Sequence, residues 1–281
     1  MGILLALGSA FCFALFTFIG KLSVNKTKYP DAVTVLYQLI AGVVSLVFIF
    51  QDGMRFQDVS PLSWILLLVS TILYGLGNIY SFRSAKVLDV SLTSIIGQMA
   101  LLFGFIGSLL VFRESVTANK IFGVLFILLG NVIVMAGAKF SKLDTKMILL
   151  RLLVCVMFAV SNIIDAHNGK YFPLSFYIFI GYFGGGVITY FGSRVGLEKL
   201  KTELKENLRM QLIMGFTAAM GYYMFLQAFN YAEKSIVIPI TYVNTIITVI
   251  LGIVILKETK SLWRKILAIV IVFLGSVLVN F

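Results

Sequence analysis

The chain has 281 residues, of which 60% are hydrophobic and only 12% are charged, and it carries a formal net charge of +11. Soluble domains average about 45–50% apolar and about 25% charged residues, so a water-soluble fold has no surface for this many apolar side chains. The composition therefore excludes a soluble domain. The basic residues lie in short segments between apolar runs, which argues for a role in membrane topology and against a nucleic-acid partner.

Ten apolar runs follow one another along the chain, and each is close to the roughly 20 residues that a helix needs to cross a bilayer. Lipid cannot satisfy the open edge of a strand, so each run is interpreted as a helix. The predicted fold class is an all-α integral membrane protein with ten transmembrane helices. The runs are 2–20, 31–50, 62–82, 88–112, 118–138, 147–166, 173–192, 210–231, 236–256 and 262–281.

The longest break between runs, residues 193–209, is rich in lysine and glutamate. Leu197, Leu200, Leu204 and Leu208 recur in it at helical spacing, while charged residues fill the other faces. This pattern predicts a short amphipathic helix in the membrane interface, with a solvated charged loop as the alternative.

The second half of the sequence repeats the first at an offset of 143 to 145 residues. The predicted domains are a first five-helix repeat over 1–138 and a second over 139–281, which includes the segment 193–209. Because five is an odd number, the second copy enters the membrane with the opposite polarity, an arrangement that recurs in transporters with a binding site near the midplane. The matches that carry this inference include Pro30 with Pro173, Gly42 with Gly185, Phe13 with Phe158, Glu114 with Glu258, and Gly130 with Gly275.

Both halves end in the same way, with LLVFRESVTANKIFGVLFILLGNVIV over 109–134 and IVILKETKSLWRKILAIVIVFLGSVLV over 253–279. Each stretch contains an apolar helix, a glutamate, a short turn and a second helix with a late glycine. The pattern resembles the drug/metabolite transporter superfamily, specifically its ten-helix EamA-type members. Arg113 and Lys257 depart from the family, which usually has glycine before the glutamate. The resemblance implies a transporter that works by alternating access around a central cavity.

Lysine and arginine are unevenly divided between the two sides of a ten-helix chain. The loops after odd-numbered helices hold 17 of them, and the loops after even-numbered helices hold 5. The positive-inside rule then places both termini outside a plasma membrane. The resemblance implies cytoplasmic termini instead, and the count is the basis of the prediction here.

Polar side chains within the runs cost free energy unless they are paired or line a wet cavity, so each is a functional candidate, with hydrogen bonding between helices as the alternative. The resemblance implies that helices 1, 3, 4, 6, 8 and 9 surround the cavity. Amide and phenol groups in such a cavity would suit an organic solute with an apolar or aromatic body, and a cationic group could rest on the ring faces. Asn131, beside Gly130, is interpreted as a packing residue. The candidate substrate-binding residues are Thr17, Asn78, Gln98, Asn162, Tyr222, Tyr223, Tyr242 and Asn244.

The twelve acidic residues all lie in loops or near the ends of runs. Proton-driven carriers commonly hold a carboxylate deep in the membrane, so this distribution argues against that type of proton antiport and favours facilitated diffusion, exchange, or coupling through a residue that the sequence does not identify. Asp165, two positions before His167, is the nearest exception. Solvation at the end of its helix is the expected role, with a role in coupling as the alternative. Cys12 and Cys155 have no metal-ligand spacing and are expected to pack.

The favoured function is export or exchange of small organic metabolites such as amino acids, related zwitterions or amines. The alternative is a non-transporting membrane scaffold or sensor with the same fold. A membrane enzyme is disfavoured because a single histidine and the absence of a buried carboxylate cluster leave no convergent catalytic groups. A small solute and the lipid bilayer are the expected partners, without a cofactor, a metal or nucleic acid. A monomer is expected, with a dimer as the alternative.

Overall fold

A computed structural model describes residues 1–53, 56–85, 96–135, 145–256 and 262–280. Within these ranges the regular secondary structure is helical, and a helix occupies each of the ten predicted runs. The helices are α1 (Gly2–Lys26), α2 (Pro30–Ser45), α3 (Pro61–Ala85), α4 (Met99–Phe112), α5 (Ala118–Met135), α6 (Thr145–Asn168), α7 (Leu174–Ser193), α8 (Leu197–Ala228), α9 (Lys234–Thr241 and Asn244–Leu256) and α10 (Leu262–Asn280).

Seven helices of the described ranges are long and apolar enough to cross a membrane, namely α1, α2, α3, α6, α7, α9 and α10. The apolar helices α4 and α5 are shorter. Parts of their predicted runs, 88–112 and 118–138, fall on residues 86–95 and 136–144, which lie outside the described residues. The second part of α8 covers the predicted eighth run, 210–231, as far as Ala228.

Helix packing in the two halves follows one scheme. α1 packs along α8, and α6, its counterpart in the repeat, packs along α3. Likewise α9 packs on α1, and α4 packs on α6. The equivalent helices α2 and α7 contact each other, as do α5 and α10. This exchange of partners is the result expected when a two-fold axis relates the halves.

Glycines allow α5 and α10 to cross at close range. A Cβ atom at Gly275 would lie 2.7 Å from the carbonyl oxygen of Gly123, and one at Gly130 would lie 2.9 Å from that of Ala268. Small residues let helix backbones approach in lipid, where packing rather than the hydrophobic effect holds helices together. The described residues of this pair contribute no side chain to the cavity described below.

Two helices of the second half are interrupted. In α7 the residues Ile180–Gly184 form a π-helical turn. In α9 the first segment, Lys234–Thr241, contains Pro239, and the helix resumes after a turn as Asn244–Leu256. Proline has no backbone N–H to donate, and irregular backbone is tolerated at membrane depth where it borders protein or a cavity. Both interruptions border the cavity.

The predicted amphipathic segment, 193–209, is helical from Leu197 and continues into α8 through a break at Asn207, where φ is −128° and ψ is 23°. Its one deeply buried acid, Glu203, accepts hydrogen bonds at 3.1 Å from the side chains of Asn207 and Gln211. Thr27, just after α1, donates a further one. The segment is thus tied to the end of α1, and its place in the membrane interface stays a prediction.

Candidate functional site

A cavity of about 340 Å³ lies between the two halves of the molecule. Its walls come from α1, α2 and α3 of the first half and from α6, α7, α8 and α9 of the second. Pockets for small organic ligands span about 300–1,000 Å³, so the volume suits a small metabolite.

The structure brings six of the eight candidate residues together at this cavity. They come from five helices, since α1, α3, α6 and α8 each contribute one residue and α9 contributes two. That these side chains bind a solute stays a prediction. The six are Thr17, Asn78, Asn162, Tyr222, Tyr242 and Asn244.

The structure places the other two candidates, Gln98 and Tyr223, away from the cavity wall. Gln98 Oε1 accepts a hydrogen bond of 2.9 Å from Asn131 Nδ2, so the amide is used between helices, and the packing role expected of Asn131 is confirmed. The Tyr223 ring packs on Phe48, with 4.5 Å between ring centroids. Neighbouring residues of a helix point about 100° apart, so only Tyr222 of this pair faces the cavity.

Five further polar side chains, which are not among the eight candidates, line the cavity: Tyr37, Gln38, Tyr74, Tyr182 and Thr241. The expected ring of helices omitted α2 and α7, which contribute three of them. Tyr74 could have been found, because it precedes Asn78 by four residues and residues at this spacing share a helix face.

One wall of the cavity is a chain of amide and hydroxyl groups. Asn78 Nδ2 donates to Gln38 Oε1 at 3.4 Å, and Gln38 Nε2 donates to Thr189 Oγ1 at 3.2 Å. These bonds join α3, α2 and α7. The amides on this wall are therefore largely committed to one another.

A buried carboxylate, Asp165, lies behind Tyr74 and Tyr222 of the cavity wall and is only 1% exposed. Its Oδ1 accepts hydrogen bonds from Ser70 Oγ at 2.7 Å and from Tyr177 OH at 2.6 Å. Its Oδ2 accepts from Tyr74 OH at 3.0 Å and from Tyr222 OH. The expectation that Asp165 is solvated at its helix end is wrong, because α3, α7 and α8 cover it.

A single stripe along α6 carries two charged side chains, with the cavity between them. Among the described residues no ion pair forms at Arg151 or at Asp165. Arg151 donates to Ser81, and its buried Nε has no acceptor. The two residues are 14 positions apart, about 21 Å along the helix, too far to neutralise each other. Unpaired charges inside a membrane protein are costly and mark functional positions. The stripe consists of Arg151, Cys155, Phe158, Asn162 and Asp165.

The end of the bundle that carries the N-terminus is packed shut. Tyr222 and Phe225 belong both to the cavity wall and to a buried cluster that continues one turn further along α8 to Phe229. Phe172 and Leu174, at the start of α7, complete the same cluster. Aromatic side chains thus separate the cavity from this face.

Polar contacts between the halves reinforce the closed end. The Glu114 carboxylate accepts hydrogen bonds of 2.8 Å from the backbone N–H groups of Lys234 and Ser235, and so caps the start of α9. Beside it, Lys120 of α5 pairs with Glu233. Both contacts join the first half of the chain to the second.

A model of the EamA-like transporter family matches the sequence twice, over residues 1–136 and 145–281. The chain belongs to the EamA-like transporter family. The family predicted from residues 109–134 and 253–279 is thereby confirmed, as is the fold class, an all-α membrane protein of two inverted five-helix repeats. This EamA-like transporter is a multi-pass protein of the drug/metabolite superfamily, and its membership favours a non-enzymatic role.

A protein of known crystal structure that is 13% identical to this EamA-like transporter aligns with a TM-score of 0.77. The alignment covers 96% of this chain and 95% of the other. At this level of identity the likeness shows a shared fold. No curated protein matches the sequence.

Proposed function

We propose that this EamA-like transporter exports or exchanges small organic metabolites by alternating access around the central cavity. The observation that carries the proposal is the cavity itself, whose walls come from both repeats. Two inverted halves can exchange conformations and so open a shared cavity first to one side and then to the other.

The chemistry of the walls favours amino acids, related zwitterions or amines. Phenylalanine and tyrosine rings supply apolar surface and faces on which a cation can rest. Arg151 and Asp165 place opposite charges along α6 on either side of the cavity. A solute with both a carboxylate and an ammonium group could place the ammonium on the ring faces of the cavity and the carboxylate toward Arg151.

The lysine and arginine count supplies the proposed orientation of the closed end. By that count the closed end faces outward from a plasma membrane. A cavity sealed from the outside is the state in which an exporter loads from the cytoplasm.

A thermal-shift screen of the purified protein against amino acids and amines, followed by counterflow in proteoliposomes with the best hit, tests the proposal. Ligands stabilise the state they bind, so a substrate raises the melting temperature. We expect saturable counterflow that falls at least about tenfold in Asn162→Leu, a loss of roughly 1.4 kcal/mol. Ser276→Ala, a change in α10 away from the cavity, is the matched control. Absence of saturable flux for every hit would instead favour the scaffold or sensor.

A further inference from the structure

We propose that Asp165 is a proton-binding site whose protonation state decides whether the Asn162 amide oxygen can accept a hydrogen bond from a solute in the cavity. This inference rests on the proposed function and deepens it, because it assigns the proton as the coupling ion. Transport then exchanges one proton for one solute that carries an N–H donor.

The number of hydrogens in the cluster is the basis for this inference. Tyr74 OH lies 2.8 Å from Asn162 Oδ1, 2.9 Å from Tyr222 OH and 3.0 Å from Asp165 Oδ2. Tyr222 OH also contacts Asp165 Oδ2. Each phenol has one hydrogen to donate. The two phenols therefore have two hydrogens for four contacts, and the contacts cannot all be hydrogen bonds at once.

With Asp165 ionised, both phenols donate to its Oδ2. Hydrogen bonds to a charged acceptor are about twice as strong as those between neutral groups, so Tyr74 turns toward Asp165 and away from Asn162. The Asn162 oxygen, on the cavity wall, then has no hydrogen from Tyr74. It is free to accept one from a solute.

With Asp165 protonated on Oδ2, the cluster has a third hydrogen. The hydrogen bonds can then form one continuous chain in which each group donates to the next. Asp165 donates to Tyr222, Tyr222 donates to Tyr74, and Tyr74 donates to Asn162 Oδ1. Oδ2 is the oxygen that gains the proton, because Oδ1 keeps its donors Ser70 and Tyr177. The Asn162 oxygen is now occupied.

Proton and solute therefore compete for the same hydrogen-bond chain. A solute that donates an N–H to Asn162 favours the ionised carboxylate, and a proton on Asp165 weakens binding of that solute. By reciprocity each lowers the affinity for the other by the same factor, and couplings between sites are typically about 5–150-fold. Solute affinity consequently rises with pH.

Asp165 titrates in surroundings made of neutral hydroxyls. The titratable groups that face it are Tyr74 of α3, Tyr177 and Tyr182 of α7, and Tyr222 of α8. The described part of α4, which also packs on α6, carries no titratable side chain. On α6 itself, His167 is partly exposed, and its ring lies 5.8 Å from that of Tyr171. No described base forms an ion pair with Asp165, so the proton is its counter-charge.

Infrared difference spectroscopy of the full chain in lipid, with ¹³C-labelled asparagine, tests the switch without a solute. We expect the Asp165 carboxyl band and the Asn162 amide band to titrate together as pH rises. Asp165→Asn should abolish both changes, whereas Asp58→Asn, at an exposed loop acid, should preserve them. An Asn162 band that ignores pH, or a carboxyl band that responds to Na⁺ instead, would overturn the proposal.

The variant Tyr74→Phe distinguishes loss of the link between Asp165 and Asn162 from a general disturbance of the fold. It removes one hydroxyl, keeps the ring and breaks the link between Asp165 and Asn162. The carboxyl band should still titrate, while the Asn162 band should stop following it. If the two bands remain coupled in this variant, Tyr74 does not carry the signal and the proposal fails.

Efflux of a ¹⁴C-labelled amino-acid mixture from proteoliposomes distinguishes the coupling from the transport function. We expect an acidic exterior to accelerate efflux at least about fivefold, and Asp165→Asn to remove the acceleration. Efflux that ignores the pH gradient overturns the coupling and leaves the transport function intact. Coupled infrared bands without any efflux support the switch and count against transport of amino acids.

Discussion

The helices that open the two repeats, α1 and α6, occupy equivalent places and differ in chemistry. At the positions where α6 carries two charged side chains and an amide, α1 carries small residues. The two helices share one residue of the stripe, a phenylalanine, which is Phe13 in α1 and Phe158 in α6. Close packing follows from the small residues, since a Cβ at Gly8 of α1 would lie 2.8 Å from Met224 Sδ of α8. In the order of the α6 stripe, the α1 counterparts at an offset of 145 are Ala6, Ala10, Phe13, Thr17 and Gly20.

The difference shows that a duplicated fold keeps its helix packing, whereas the chemistry of the side chains along equivalent helices can change. Both halves keep the packing scheme that lets them exchange conformations. The α6 stripe carries two charged side chains and the equivalent positions of α1 carry none, so these two walls of the cavity differ chemically. Under the proposed function, α1 would act mainly as a packing surface and α6 as the surface that contacts the solute.

The strongest test of the difference between α1 and α6 is to place a charged side chain in α1. Ala10 is fully buried, and Asp in its place would have no set of hydroxyl donors like the one around Asp165. We expect Ala10→Asp to destabilise the protein by roughly 3 kcal/mol, the cost of a carboxylate inside a membrane. Thermal unfolding in detergent measures this, with Ala10→Ser as the control, since a serine can bond its own helix. Similar melting temperatures for the two variants would show that α1 tolerates charge and that the asymmetry has no structural basis.

An intermediate effect is expected when α6 loses its cation. Arg151→Met keeps an unbranched apolar stem and removes a charge that has no described acid partner, so stability should change by about 1 kcal/mol or less. If Arg151 attracts the solute's carboxylate, flux of labelled amino acids should fall about tenfold while flux of methylammonium persists. Equal loss of both fluxes, or a large drop in melting temperature, would assign Arg151 a structural role.

The smallest effect is expected at Thr17, the α1 counterpart of Asn162. Its hydroxyl donates to the Phe13 carbonyl oxygen of its own helix at 2.8 Å, so it has little to offer a solute although it lines the cavity. Thr17→Val should leave amino-acid counterflow within about twofold and stability within about 0.5 kcal/mol. A loss of flux as large as that of Asn162→Leu would make α1 a binding helix after all.

The architecture could be predicted from the sequence because each membrane helix is specified by the apolar residues of its own segment. The third run, predicted over 62–82, is Pro61–Ala85 in the structure, and the sixth, predicted over 147–166, is Thr145–Asn168. Asn162 and Tyr222 could be assigned to the cavity because a polar group in an apolar run needs a partner or water.

Asp165 could not be placed in the same way, because distance from the end of a run is measured along the chain whereas burial is decided by other helices. Its donors come from α3, α7 and α8, and nothing in its own segment indicates them. Gln98 shows the converse: Asn131, 33 residues away, satisfies its amide, so a polar residue within a run did not mark the cavity. The π-helical turn at Ile180–Gly184 likewise depends on contacts that the run itself does not specify.

The cap that Glu114 forms on α9 holds the first half of the chain to the second through two hydrogen bonds. Hydrogen bonds to a charged group contribute about 1.5–3 kcal/mol each, and moving α9 away from the loop after α4 gives up two of them. These two hydrogen bonds involve a charged carboxylate in a loop, where dissolved ions screen electrostatic interactions over about 10 Å at 0.1 M salt. If α9 moves in the proposed transport cycle, the salt concentration on this side of the bilayer would change the free energy of that movement.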